Sequence, residues 1–393
     1  MRYLDHAATT PLRPSVLAAM AEAPSLANPA STHRAGQRAA AMLEEARERI
    51  AGAVDAHPTE VVLTSGGTES TNLALQGMAR VRPGALVVAD GEHHATLDTA
   101  EALASAGREV RWVPISQQAV VDAEAFAAAL PGAALATALW VSNEIGTVQD
   151  VAALGRLASR AGVPMHVDAV QALGHVPVSA RSLGLSAAGV ATIALSAHKV
   201  GGPVGVGVLL VARDAPIAPI VHGGGQQRGL RSGTQDVLGA HLASIAIAEA
   251  VTELASECAR LAALRDQVLA AGVAVPGVRA TAPADACAPH VAHLAIEGAE
   301  AETIVFALDR LGFAVSNGSA CTAGVQEPSH VLRAMGLGHL APLRVSLGRT
   351  TTADDVDALC AALPAAIATA RAASTEAGRR TDGRDGPARS STG

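Results

Sequence analysis

The sequence predicts an α/β protein with a mostly parallel, seven-stranded sheet and a second, smaller α+β domain. Two observations predict it. Short apolar runs alternate with helical stretches over the first two thirds of the chain, and this rhythm changes after Pro276. Strands that are each followed by a crossover helix build parallel sheets covered on both faces. The length of 393 residues suits a large core and two or three domains.

The strands of the first part are short runs of aliphatic and β-branched residues. They are predicted at Glu60–Leu63, Leu86–Ala89, Val110–Val113, Ala134–Val141, Met165–Asp168, Ala191–Ser196 and Val206–Val211. Helical periodicity between and after them predicts helices at Ala35–Val54, Thr68–Arg80, Thr96–Ala106, Val151–Ala161 and, as one long helix, Asp236 to about Ala271. The second part predicts strands at Val291–Ile296, Phe313–Ser316 and Leu343–Leu347, with helices at Ala301–Leu311 and Ala353–Arg371.

These elements divide the chain into two domains and a tail. We expect a large domain of residues 15–255 and a small domain formed by residues 1–14 and 256–371. Residues 372–393 are rich in Gly, Ser, Thr and Arg without periodicity, which is typical of a disordered tail.

Composition and charge exclude several classes of protein. The net charge is −7 and no basic stripe is present, so we expect no direct nucleic-acid partner. The apolar run at residues 125–141 is interrupted by Pro131-Gly132, and a membrane span needs roughly 18–20 predominantly apolar residues. The N-terminus has no apolar signal core, and we therefore expect a cytoplasmic protein without a membrane partner.

The cysteines and histidines do not indicate a metal site. None of the four cysteines forms a CxxC pair, and free thiols are the default in a reducing compartment. His93 and His94 are adjacent, and adjacent side chains do not converge on one ion.

A glycine-containing turn follows the first predicted strand of the sheet and opens a helix. The turn reads Thr64-Ser65-Gly66-Gly67-Thr68-Glu69-Ser70. Glycines let a ligand approach the backbone, and the amides of a helix N-terminus attract phosphate. A plain capped turn would have the same sequence, so this motif alone leaves both interpretations open.

Two strand ends carry further polar groups. Asp168 ends an apolar strand, where it could hold a protonated pyridine nitrogen or only cap the next turn. Lys199 ends the stretch Ser196-Ala197-His198-Lys199, and a lysine there can form an imine with an aldehyde cofactor or be a solvated surface charge. The order of phosphate turn, strand-end Asp and Ser-x-His-Lys about 31 residues later is far more specific than any one part.

These three segments resemble the fold-type I enzymes that use pyridoxal 5′-phosphate (PLP), in the class V aminotransferase branch. Further motifs narrow the resemblance to the cysteine desulfurases of the NifS/IscS type. They are Tyr3–Pro11, Asn28–Ser31, Glu92–Ala95, Asn143–Gly146, Arg231–Thr234 and Gly318–Thr322. The resemblance runs from about residue 3 to residue 370.

The resemblance implies the PLP-dependent transferase fold of type I and a set of cofactor residues. Lys199 would bind PLP covalently, Asp168 would pair with its pyridine nitrogen and Gln171 would contact its ring hydroxyl. The phosphate would lie among Gly67, Thr68, Ser196 and His198 of one subunit and Thr234 of the other, which implies a homodimer. His93 would stack on the ring and help to move protons, Asn143 would contact cofactor and substrate, and Arg344 would bind the substrate carboxylate.

The resemblance also implies the reaction. L-cysteine would yield L-alanine and a persulfide on Cys321, which would pass its sulfur to an acceptor protein for iron–sulfur cluster assembly or for thiolation of tRNA or a cofactor. The surroundings of Cys321 are small, polar and glycine-rich, as in a mobile loop. A selenocysteine lyase or an aminotransferase on the same fold, and a cofactor-free sulfur-carrier scaffold, are the alternatives.

Two departures from the family are visible. Gly66-Gly67-Thr68 stands where many relatives have Gly-Ala-Thr. Residues 372–393 contain no aromatic residue, whereas housekeeping relatives use an aromatic-containing C-terminus to dock a scaffold protein. The second departure leaves the acceptor open.

Overall fold

The computed structural model describes residues 1–318 and 329–382. The strands, in chain order, are β1 (Arg2–Tyr3), β2 (Val61–Thr64), β3 (Ala85–Ala89), β4 (Val110–Val113), β5 (Ala133–Leu139), β6 (Pro164–Asp168), β7 (Gly189–Ser196), β8 (Gly207–Val211), β9 (Val278–Ala280), β10 (Val291–Ile296), β11 (Phe313–Ala314) and β12 (Ala341–Ser346).

The helices pack on both faces of the large sheet and around the small one. They are α1 (Pro14–Ala21), α2 (Arg34–Ala53), α3 (Gly67–Val81), α4 (His94–Ser105), α5 (Ala123–Ala129), α6 (Val151–Arg160), α7 (Val237–Thr252), α8 (Leu254–Val273), α9 (Ala301–Arg310), α10 (His330–Ala334) and α11 (Ala353–Asp382).

The large sheet has seven strands in the order β2-β8-β7-β6-β5-β3-β4. Neighbours from β7 to β4 run parallel, and β8 is antiparallel to both β7 and β2. The carboxyl ends of β2, β3, β5, β6 and β7 therefore meet at one edge. The prediction of a mostly parallel seven-stranded sheet is confirmed.

A second core lies around the antiparallel sheet β12-β10-β9. The N-terminus joins this part of the molecule, because β1 pairs with β11 and Asp5 bridges to Ser346. Leu4 is fully buried there together with residues of α8, α9 and α11. This packing supports the assignment of residues 1–14 to the small domain.

The predicted helix from Asp236 to Ala271 is wrong as a single element. Two helices, α7 and α8, meet at Glu253 with a bend of 70°. The apolar residues of α7 pack in the large core, whereas Leu261 and Val268 of α8 pack in the small one. Since no Gly or Pro marks the junction, the bend follows from two cores that lie in different directions.

Two further boundaries differ from the expectation. Helix α11 extends to Asp382, beyond residue 372, where the sequence placed the beginning of the tail. The predicted small domain also includes residues 329–340, but Val331, Leu332 and Met335 pack against the large core. Helix α10 is thus attached to the large domain although its neighbours in sequence belong to the small one.

One helical stretch in the described part of the chain, Ala353–Thr375, is long and apolar enough to cross a membrane, and α7 with α8 would pass the same criterion as one bent pair. Val356, Leu359 and Leu363 on this stretch are fully buried in the small core. Packing inside the protein accounts for its apolar face, and one such helix is weak evidence for a membrane.

Candidate active site

A cavity of about 380 Å³ opens at the edge where the strand ends of the large sheet meet. Its lining brings together ten of the predicted site residues: Gly67, Thr68, His93, Asn143, Asp168, Gln171, Ser196, His198, Lys199 and Arg344. Ala7, Ala8, Ala95, Leu139, Val170 and Gly318 complete it. Residues far apart in sequence thus form one concave polar site, as ligand sites at this edge of an open sheet do.

The turn after β2 forms one end of the cavity. Gly67 and Thr68 are the first residues of α3, so their amides belong to the group that has no partner within the helix. The hydroxyl of Ser196 is buried without a hydrogen-bond partner among the described residues. Free amides, an unsatisfied hydroxyl and a helix N-terminus together suit a phosphate group.

The Arg231–Thr234 motif contacts this turn through Glu69. Arg231 Nε donates to Glu69 Oε1 at 2.8 Å, and the Ser65 amide donates to Glu69 Oε2 at 2.6 Å. Partial burial raises the pKa of Glu69, but these hydrogen bonds lower it by more, so the net pKa lies below the usual value. The Arg231–Thr234 motif is therefore tied to the phosphate turn through one ion pair.

Asp168 lies at the end of β6, on the floor of the cavity, and is almost completely buried. Its Oδ1 accepts from the Val170 amide at 3.0 Å. Burial raises the pKa of Asp168 to about 6, although the Val170 amide and the charge of Lys199 lower it. A buried carboxylate with spare acceptor capacity is suited to a cationic N–H group in the cavity.

Gln171 is held in one orientation from two sides. Its Nε2 donates to the carbonyl of Ala7 at 2.8 Å, and His290 Nε2 lies 3.2 Å from its Oε1. The ring of His290 stacks on His175 at a centroid distance of 3.5 Å. The second amide hydrogen of Gln171 is thereby left for the cavity.

Lys199 follows β7 on a short 3₁₀ turn, beside Ser196 and His198. Its Nζ donates to the carbonyl oxygens of Ala7 at 2.6 Å and Ala8 at 2.8 Å. These contacts fix the amine at the cavity wall close to Asp168. The N-terminal segment therefore positions the lysine, a role that the sequence did not indicate.

His93 caps the start of α4. Its Nδ1 accepts from the amide of Ala95 at 3.0 Å, so the hydrogen of the neutral ring is on Nε2. Burial, followed by the charge of Lys199, lowers the pKa of His93 to about 4. At neutral pH the side chain is an uncharged hydrogen-bond donor towards the cavity.

Arg344, in β12 of the small domain, reaches the cavity from the opposite side. Its Nη1 donates to the carbonyl of Asn143 at 2.7 Å and its Nη2 to Asp5 Oδ1 at 2.8 Å. The guanidinium thus bridges the two domains at the mouth of the site.

Two predicted residues do not line the cavity of the described chain. Thr234 is exposed and is not part of the lining. Cys321 lies in residues 319–328, outside the described residues, but Gly318 directly before this segment lines the cavity. Within residues 1–318 and 329–382, no group of three or more His, Cys, Asp or Glu side chains is arranged to hold a metal ion.

The comparisons with known proteins agree with this geometry. The family model of class V aminotransferases matches residues 2–359. The chain belongs to the class V aminotransferase family. It is 42% identical over 400 residues to an IscS-like cysteine desulfurase of Mycobacterium tuberculosis, covering 96% of this chain and 99% of the relative. It is 40% identical to the cysteine desulfurase IscS of Methylococcus capsulatus, covering 90% and 89% of the two chains.

Solved structures show the same relationship. A NifS-like protein superimposes with a TM-score of 0.85 at 31% identity, covering 94% of this chain and all of the other. SspA, solved in complex with cysteine, gives a TM-score of 0.74 at 30% identity over 88% and 99% of the two chains. The predicted fold and family are confirmed, and enzymes of this family use PLP.

The residues present fit PLP. The unsatisfied Ser196 hydroxyl and the N-terminus of α3 suit its phosphate, Lys199 its aldehyde carbon and the buried Asp168 its pyridine nitrogen. The cavity volume also suits a cofactor of this size together with a small amino acid.

Proposed function

We propose that this protein is a PLP-dependent cysteine desulfurase that converts L-cysteine to L-alanine and passes the sulfur atom through Cys321. The observation that carries the proposal is one cavity lined by Lys199, Asp168, Arg344 and also Gly318, which lies three residues before Cys321 in the sequence. The relatives named as cysteine desulfurases support the same reaction.

PLP bound in this cavity would supply an electron-poor ring that takes up electrons from the substrate Cα. Asp168, as a carboxylate, would hold the ring nitrogen protonated. Arg344 would bind the substrate carboxylate and so orient its Cα. Lys199 Nζ would then take up the α-proton, and His93 would donate its Nε2–H towards the substrate.

Transfer of the sulfur atom from L-cysteine to Cys321 requires no external oxidant. The thiolate of Cys321 attacks the substrate sulfur, a sulfur–sulfur bond forms and the Cβ–sulfur bond breaks. The bonding electrons stay with Cβ, which takes a proton to become the methyl group of alanine. Cys321 ends as a persulfide, one sulfur atom heavier.

Mass spectrometry tests this proposal directly. After incubation of the holoenzyme with L-cysteine, the peptide that contains Cys321 should gain the mass of one sulfur atom while equimolar alanine appears. Borohydride reduction of the holoenzyme should add the cofactor mass to the peptide that contains Lys199.

The other cysteines provide matched controls. Cys258, Cys287 and Cys360 are free thiols of intermediate exposure, and burial raises the pKa of each. Replacing any of them with Ala should leave alanine formation unchanged, whereas Cys321→Ala should abolish it. Full alanine formation by Cys321→Ala would contradict the passage of sulfur through Cys321, whereas an aminotransferase would keep the Cβ–sulfur bond and form no alanine from cysteine in any of these variants.

The proposal includes a homodimer in which Thr234 of one subunit completes the phosphate site of the other. The exposure of Thr234 and its absence from its own cavity support this. Mixing Lys199→Ala chains with Thr234→Ala chains would then create heterodimers with one native site, and activity should reappear. No recovery on mixing would place Thr234 in its own subunit's site or outside the site.

We further propose that the persulfide passes to an acceptor protein in the cytoplasm, either an iron–sulfur scaffold or a tRNA thiolase. Cysteine labelled with ³⁵S distinguishes them, because the label should move from Cys321 to only one of the two purified acceptors. Retention of the label on Cys321 with both would contradict these two acceptor classes.

A further inference from the structure

Glu144 is a buried acid that the proposed chemistry does not use. It follows Asn143 in the loop after β5, and the residue is 2% exposed. A buried carboxyl group is costly unless its partners compensate, so its contacts indicate what it does.

The first contact leads to the residue that follows the undescribed segment. Ser329 Oγ donates to Glu144 Oε2 at 2.5 Å and accepts from the Leu332 amide at 3.1 Å. Ser329 is thus the N-cap of α10, and that helix packs on the large core through Val331 and Leu332. Glu144 therefore fixes the point at which the chain enters α10.

The second contact leads to the residue that precedes the segment. A Cβ placed on Gly318 would lie 3.6 Å from Cβ, Cγ and Oε2 of Glu144, so the backbone there packs on this side chain. The Gly318 amide donates to Ser316 Oγ at 3.0 Å, and Gly318 itself lines the active-site cavity.

One side chain thus contacts both residues that flank residues 319–328, the segment with Cys321. We propose that Glu144 is a positioning residue for the sulfur-transfer step, because it holds Gly318 and Ser329, the two described residues that flank the segment with Cys321. This inference rests on the proposed function. It assigns Glu144 to the sulfur-transfer step and not to binding of the cofactor or of cysteine.

The charges that face Glu144 come from three other elements. His330 Nδ1 lies 3.8 Å from Glu144 Oε1, while His330 Nε2 is 2.9 Å from the carbonyl of Glu92. Since a carbonyl only accepts, the neutral ring of His330 carries its hydrogen on Nε2. Burial raises the pKa of Glu144 to about 7, and the Ser329 hydrogen bond, Arg344 and His94 lower it in part.

Three variants separate positioning from general stability. Glu144→Gln keeps an acceptor for Ser329, whereas Glu144→Ala and Ser329→Ala each remove one side of the contact. Glu45→Ala, at an exposed position of α2, is the control. Steady-state alanine formation, the absorbance change of the holoenzyme on addition of L-cysteine, and the rate of iodoacetamide modification of Cys321, followed by peptide mass spectrometry, are measured for each.

We expect kcat to fall about 10- to 100-fold in Glu144→Ala and Ser329→Ala, because a displacement of about 1 Å can cost that much. KM and the absorbance change should stay within about threefold of wild type, and the double variant should be no slower than Glu144→Ala, since both act on one contact. Glu144→Gln should retain most of kcat. The rate of Cys321 modification should change in Glu144→Ala and Ser329→Ala but not in Glu144→Gln.

Several results would overturn the inference. An unchanged kcat in Glu144→Ala would do so, as would a loss confined to KM or to the absorbance change, which would place Glu144 in cysteine binding. If Glu144→Ala melts far below wild type, kcat is compared in Ser329→Ala and Glu144→Gln at a temperature where both variants are folded. An unchanged kcat in Ser329→Ala would then overturn the inference. Failure of the proposed function is separate, because wild type itself would then form no alanine and no persulfide.

Discussion

Arg344 Nη2 donates to Asp5 Oδ1 at 2.8 Å, which joins the middle of β12 to the N-terminal segment. Arg344 is 3% exposed, and its Nη1 is held by the Asn143 carbonyl of the large domain. Its Nε is buried without a hydrogen-bond partner among the described residues. The position of the guanidinium is thus set by one residue from each side, with donor capacity left for a carboxylate.

Replacing the guanidinium group of Arg344 with a single ammonium group should weaken substrate binding. We expect Arg344→Lys to raise KM for L-cysteine about 10- to 100-fold, equivalent to about 1.4–2.8 kcal/mol, because lysine cannot form the two parallel hydrogen bonds. Steady-state kinetics over a range of cysteine concentrations checks this.

Arg279→Lys is the matched control, since Arg279 is exposed on β9, the opposite edge strand of the same three-stranded sheet. Its KM should equal that of wild type. An Arg344→Lys enzyme with an unchanged KM would show that the carboxylate binds elsewhere in the cavity.

At the phosphate turn, the side chain of Val170 fills the space that a side chain at Gly67 would need. A Cβ added at Gly67 would lie 2.6 Å from Cγ2 of Val170, too close for any real contact. We expect Gly67→Ala to lose PLP more readily and to be destabilised by about 1–3 kcal/mol. Fluorescence titration with PLP and thermal melting measure the two effects.

The double variant Gly67→Ala, Val170→Ala tests the cause. Removing the two methyl groups of Val170 should restore cofactor affinity, because the clash then disappears. Val178→Ala, a largely buried valine elsewhere in the large core, should not rescue it. Equal affinities of Gly67→Ala and wild type would mean that the turn adjusts without cost.

The sequence predicted the large sheet well because each of its strands is a short apolar run and the crossover helices α3, α4 and α6 have a clear period, although the short crossover helix α5 was not predicted. It failed at Glu253, where a helix bends without a breaker residue, since the bend depends on which core each half meets. The short helix α10 was missed for a related reason. Its attachment to the large core depends on Val331 and Leu332, and their partners are distant in sequence.

The ten predicted residues that line the cavity could be found from the sequence because most of them lie in recognisable motifs near strand ends. The residues that hold these side chains in place could not be predicted from the sequence. Ala7 and Ala8 act through backbone carbonyls, and any residue has one. Glu92 and Glu144 stand in motifs that the sequence highlighted, but their burial beside Asp168 and Ser329 emerges only from the fold. His290 lies in no motif, and nothing in the sequence places it against Gln171.

His290 should influence PLP affinity through Gln171 alone. His290→Phe keeps a flat ring against His175 but removes the donor to Gln171 Oε1. Loss of one neutral hydrogen bond of about 0.5–1.5 kcal/mol would raise the dissociation constant of PLP roughly 2- to 12-fold. Fluorescence titration of PLP measures this change.

His175→Phe is the comparison for this variant, because it preserves the stack and the His290–Gln171 side-chain contact. It removes only the 3.3 Å contact between His175 Nδ1 and the main-chain carbonyl of Gln171. We expect its PLP affinity to stay within about twofold of wild type. The same loss of affinity in both variants would contradict a specific effect of the His290–Gln171 hydrogen bond on the cofactor site.

Glu92 gives the protein a pH-dependent stability that a neutral replacement should remove. It is 1% exposed and its Oε1 accepts from the Leu139 amide at 2.8 Å. Burial, followed by the charge of Asp168, raises the pKa of Glu92 from 4.5 to about 8. The folded protein therefore keeps this proton at a pH where the unfolded chain has released it. The contribution of protonated Glu92 to the free energy of unfolding is fully present below pH 4.5 and is lost as the pH rises towards 8.

Glu92→Gln does not titrate, so its melting temperature relative to wild type should increase steadily between pH 4.5 and 8 and level off above. Each kcal/mol corresponds to about 2–4 °C in a domain of 150–250 residues, which makes the change measurable by thermal melting of the holoenzyme at several pH values. The exposed Glu45→Gln should show no such trend. A difference that stays constant over this range would mean that Glu92 is ionised in the folded protein at neutral pH, held by a partner that outweighs its burial.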